Sequence, residues 1–86
     1  MPALERTYGA RIKGIGYGDS TQTVFKALGE PDATVSYQPV GLLDCVFFDE
    51  DVVIHFENFA VKTISRGVPD TLKREVEEKG KNIMRF

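Results

Sequence analysis

Positions Thr21, Val24, Phe25 and Leu28 recur at the i, i+3, i+4, i+7 spacing of one helical face, which predicts a helix over about residues 20–28. Asp19 or Ser20 can cap its start, because a short side-chain oxygen accepts from a free backbone N–H. Gly29 can take the left-handed conformation that ends a helix, and Pro31 prevents continuation. The pattern then turns β-like. Val35 and Tyr37 lie in a short extended run, and Gln38–Gly41, with Pro39 inside, reads as a loop. Leu42–Phe48 and Val52–Glu57 are β-prone and flank the acidic turn Asp49-Glu50-Asp51. Ala60–Arg66 is a further strand after a tight turn at Asn58-Phe59. Asp70 can cap a second helix reaching about Lys79, with Gly80 as its stop; Leu72 and Val76 give it a thin apolar side. Tyr8–Tyr17 alternates weakly and is glycine-rich, as an edge strand or an irregular arm.

A two-residue turn at Glu50-Asp51 would set Phe47 opposite Ile54, Cys45 opposite Phe56, Phe48 opposite Val53 and Val46 opposite His55. With Asn58-Phe59 as the next turn, one sheet face carries Leu43, Cys45, Phe47, Ile54, Phe56 and Val61, and the first helix should cover it. The other face has an apolar end of Val46, Phe48, Val53 and Ile64. Its polar end is Asp44, His55, Glu57 and Lys62. Left bare, that apolar end would need a cover. The second helix buries little, so an external cover is expected: a second copy of the chain, or another protein. The expected partner-binding residues are Val46, Phe48, Val53, His55, Lys62 and Ile64.

Composition narrows the function. The 86 residues make one domain spanning 1–86. A net charge of -2 does not suit a nucleic-acid module, and no apolar run is long enough to span a membrane. One cysteine and one histidine build neither an internal disulfide nor a histidine metal site. The Gly14-Ile15-Gly16-Tyr17-Gly18 run precedes a helix, as phosphate-cradling loops do. No Walker lysine follows it, and Asp19 would repel a phosphate, so these glycines read as turn-formers. Cys45 and His55 resemble a thiol and its base only until the register sends them to opposite faces. Asp44 and the run Asp49-Glu50-Asp51 lack the alternating ligand spacing of a calcium loop. No catalytic residue, cofactor or metal is therefore expected.

The run GYGDSTQTVFKALGEPD, followed by VFFDEDVVIHFENFAVKTI, resembles the SmpA/OmlA (BamE-like) and β-lactamase-inhibitor-protein-like superfamily. Gly18, Ser20, Val24, Leu28, Gly29 and Pro31 match its helix block; Ile54, Phe56, Val61 and Ile64 match its hairpin block. The match covers about residues 14–66. Phe59 stands where the family's hairpin glycine would be. The signal peptide and lipidated cysteine of BamE-like lipoproteins have no counterpart in this sequence, which points to the cytoplasm, or to the periplasm for a trimmed mature form. The resemblance implies an α+β fold: a four- or five-stranded antiparallel sheet with helices on one face. It also implies a non-catalytic protein-interaction domain presenting an open sheet face and hairpin tips. A small-molecule-binding or sensory domain is the alternative, and a small enzyme the second alternative.

Overall fold

In the computed structural model, residues 12–37 and 41–85 are described. Residues 8–11 of the arm, 38–40 of the loop and Phe86 lie outside them. The elements are α1 (Thr21–Leu28), β1 (Ala33–Tyr37), β2 (Leu42–Phe47), β3 (Val52–Glu57), β4 (Ala60–Arg66), α2 (Asp70–Lys79) and β5 (Asn82–Arg85). They form an α+β domain around one five-stranded sheet of order β4-β3-β2-β1-β5. The sheet is mixed rather than antiparallel, since β5 runs parallel to β1.

Local chemistry sets the helix ends. Ser20 caps α1 by accepting from the Thr23 N–H at 3.2 Å. Gly29 closes it at φ +87°, where its N–H reaches the Phe25 carbonyl at 2.8 Å. The N-cap of α2 is Pro69 instead of Asp70, and Asp70 falls in the first turn, where a carboxylate suits the helix dipole.

The β2–β3 connection spans four residues, Phe48–Asp51, so the pairing is Phe47↔Val52, Cys45↔Ile54 and Leu43↔Phe56. This differs by two residues from the register expected for a two-residue turn. An even shift preserves which face each side chain takes. Cys45, Phe47, Ile54, Phe56 and Val61 accordingly share one core with Val24 of α1 and Ile15 of the arm.

Ile64 departs from expectation. A bulge at Lys62 shifts the β3–β4 ladder, pairing Phe56 with Val61 but Ile54 with Ile64. Val61 and Ile64 are an odd number of positions apart, and a regular strand would send them to opposite faces. The extra residue turns both into the α1-covered core.

The helices do not share a face. β4 ends at one edge of the sheet and β5 enters at the other, so the intervening chain must cross the sheet. That crossing is α2. Val68, Leu72 and Val76 pack on Ala33, Val46 and Val53, on the face opposite α1. Of the patch expected to need an external cover, Val46 and Val53 are thus covered from within by α2, Ile64 belongs to the other face, and Phe48 alone stays exposed. Asp51 anchors the crossover, its carboxylate accepting from the Val68 N–H at 2.9 Å and its carbonyl from the Gly67 N–H at 2.7 Å.

Candidate functional site

Of the six expected partner-binding residues, Val46 is fully buried, Val53 lies half-buried under α2, and Ile64 is buried on the opposite face. Phe48 is exposed at the β2–β3 tip, beside Lys73 and Val76 of α2. Lys62 sits at the bulge with its ammonium 5.5 Å above the Tyr17 ring. His55 remains on the face and faces Thr63 across the ladder instead of Lys62.

His55 belongs to a polar strip that only part of the sequence pattern announced. On the α2 face, beyond the helix, its Nδ1 lies 2.5 Å from Asp44 Oδ1 and its Nε2 3.4 Å from Glu57 Oε2. The Tyr37 hydroxyl donates to Asp44 Oδ2 at 2.7 Å. Burial and the Asp44 carboxylate together raise the Tyr37 pKa, and the neighbouring Arg85 guanidinium partly opposes them. Arg85 then grips Glu75 of α2 through two hydrogen bonds of 2.5 and 2.6 Å. Asp44, His55 and Glu57 were visible in the alternation of β2 and β3. Tyr37 and Arg85 enter because β1 and β5 are neighbours, with Tyr37 paired to Arg85. The nearest sequence signal was Arg85 itself, a cation beside the apolar Ile83-Met84 pair.

Within the strip, Asp44 is shared between the Tyr37 hydroxyl and the His55 ring, and Glu75 is held by Arg85. Cys45 points into the other core, and burial, with a smaller push from the Asp44 charge, raises its thiol to about 12. The glycine-rich arm is similarly occupied: the Gly16 N–H donates to the Asp19 carboxylate at 2.8 Å. In the acidic turn, Asp51 binds backbone and Glu50 pairs with Lys13 at 3.1 Å. Among the described residues, no cluster of His, Cys, Asp or Glu is arranged to hold a metal, and no helix is long and apolar enough to cross a membrane.

The other face of the same sheet end is apolar and open. A groove of about 330 Å³ is lined by Ser36, Leu43, Met84, Gly41 and Phe59, with Tyr37 and Leu42 at the sheet's end. No α1 residue lines it. Phe59 is 62 % exposed and Met84 61 %. Phe59 is also strained. Asn58 and Phe59 form the β3–β4 turn with φ of +53° and +65°, a backbone that favours Asn-Gly. A bulky aromatic in the left-handed region costs roughly 1–2 kcal/mol. The turn is held by the Phe59 carbonyl, which accepts from the Thr21 N–H at 3.1 Å.

Comparison with family models, curated proteins and solved structures finds no match to this chain.

Proposed function

We propose that this protein is a non-catalytic protein-interaction domain that contacts its partner through the β1–β5 end of the sheet and the Phe59 turn. The observation that carries the reading is Phe59: a large aromatic kept in a strained backbone conformation while most of its ring faces solvent. Strain of this kind persists where the ring itself serves a purpose. Here it flanks an apolar groove and the exposed Met84 side chain, the mixture of aromatic and methionine surface enriched in protein interfaces. The resemblance of residues 14–66 to the BamE-like and β-lactamase-inhibitor-protein-like superfamily supports the same reading. The contacting surface differs from the one the sequence suggested, because α2 occupies the face expected to be open.

The test is affinity capture of the tagged full chain from its native host, with wild type and Phe59→Gly side by side. Glycine relieves the turn, so the variant should be at least as stable as wild type while retaining less of the captured protein. Those opposite signs separate a recognition ring from a structural one. Equal retention by the two chains would remove Phe59 from the interface and overturn the reading.

A further inference from the structure

The two edges of the sheet are unequal. Along β4, the first half of the edge is closed by the segment before α1. The Gly18 N–H donates to the Val61 carbonyl and the Val61 N–H to the Asp19 carbonyl, both at 2.8 Å, and Ser20 bridges Ala60. At the other edge no strand among the described residues pairs with the outer side of β5. The Thr34 N–H donates to the Lys81 carbonyl at 2.7 Å. In a parallel ladder of this register, Ile83 and Arg85 direct their backbone groups toward β1. Asn82 and Met84 therefore turn their N–H and C=O groups outward, and such groups are a template for another strand.

We infer that β5 accepts an extended segment of another protein as a sixth strand, with acidic side chains at the alternate positions that face Lys81 and Arg85. This rests on the protein-interaction reading and names the form and chemistry of the partner. Side chains of an added strand alternate between the two faces. On one face they meet Met84 and the apolar groove. On the other they meet Lys81 and Arg85, with Lys79 close by through their shared neighbour Glu75. The chain as a whole carries -2, so this basic end runs against its net charge. Glu75 is engaged by Arg85 and Lys79, and Lys81 has no acidic partner among the described residues. An acidic strand supplies what this end lacks. A second copy does not. Antiparallel self-pairing centred on Ile83 would set Lys81 opposite Arg85, and like charges directly opposite destabilise a ladder. The equally long register centred on Met84 would set Ile83 opposite Arg85, so neither supplies an acidic residue.

The test begins with random peptides displayed on phage and selected against the full chain. Selected peptides should carry acidic residues at alternate positions with an apolar residue between them. A synthetic copy of one should slow amide exchange at Asn82 and Met84. Met84→Pro removes an outward N–H and no ladder bond, so the fold should survive. It should nevertheless weaken binding by about tenfold or more, as loss of main-chain pairing does. Met84→Thr loses the same side chain but keeps the N–H, so it should bind several-fold more tightly than Met84→Pro. Lys81→Glu should weaken binding as Met84→Pro does. Failure to select any peptide, binding without protection of the two amides, or equal binding by Met84→Pro overturns strand addition. So does a wild-type dimer that Met84→Pro disperses, which would assign the edge to a second copy. If Phe59→Gly loses captured protein while β5 shows none of these effects, the interaction reading stands and strand addition alone fails.

Discussion

At the residue scale, two side chains report their surroundings in opposite ways. Phe59 occupies a left-handed position suited to glycine. Phe59→Gly should raise unfolding free energy by roughly 0.5–1 kcal/mol, the relief of strain less the extra freedom of glycine in the unfolded chain. Urea denaturation measures it, and a less stable variant would mean that ring contacts outweigh the backbone strain. Cys45 is the converse case, an unstrained residue made inert by burial. Its thiol, raised to about 12, is almost wholly protonated at neutral pH, whereas reagents attack the thiolate. Labelling by a thiol reagent should be slow in the native protein and rapid in denaturant. Fast native labelling would place Cys45 on an accessible face, against the observed β2 register.

At the element scale, the link between α2 and β5 is electrostatic. The Arg85 guanidinium, through its paired hydrogen bonds, lowers the Glu75 carboxyl from 4.5 to about 2, and Lys79 adds to the effect. A folded-state value below the unfolded one stabilises the fold above the unfolded value. The contribution is therefore fully present above about pH 4.5 and is lost as the pH falls toward 2. Thermal unfolding followed between those limits should show a downward slope in midpoint with acidification, and Glu75→Gln should flatten it. An unchanged slope in the variant would assign the acid sensitivity to other carboxylates. Such a pair near the surface is screened by salt, so the difference should shrink at high ionic strength.

At the scale of the whole molecule, the bulge at Lys62 decides which residues of β4 belong to the interior. Ile64 is 2 % exposed within the α1-covered core, whereas its neighbour Ser65 is exposed. Ile64→Lys would bury a charge without a partner and should cost about 3 kcal/mol or more. Ser65→Lys should stay within about 0.5 kcal/mol of wild type. Circular dichroism during denaturant titration distinguishes them. A folded Ile64→Lys protein of normal stability would return Ile64 to the surface and remove the bulge.

The sequence alone determined what depends on neighbours along the chain. Ser20, Gly29 and Gly80 delimit helices through backbone groups only a few residues away. Alternation in β2 and β3 assigns faces whatever the turn length, provided that the register shifts by an even number. The odd spacing of Val61 and Ile64 by itself sends them to opposite faces, and only their burial in one core reveals the bulge. The position of α2 was not readable. Its apolar stripe of Leu72 and Val76 fits either face, and what decides between them is where the chain re-enters the sheet. That re-entry depends on β5 pairing with β1, whose partners Thr34 and Asn82 are 48 residues apart in the sequence. Only tertiary structure could join Arg85 to Tyr37 and Glu75, leave the outer side of β5 without a strand partner among the described residues, and cover Val46 and Val53 with α2. Local hydrogen bonds and periodicity are written in short stretches of sequence, whereas the choice of sheet neighbours is settled by the burial and pairing of the whole chain at once.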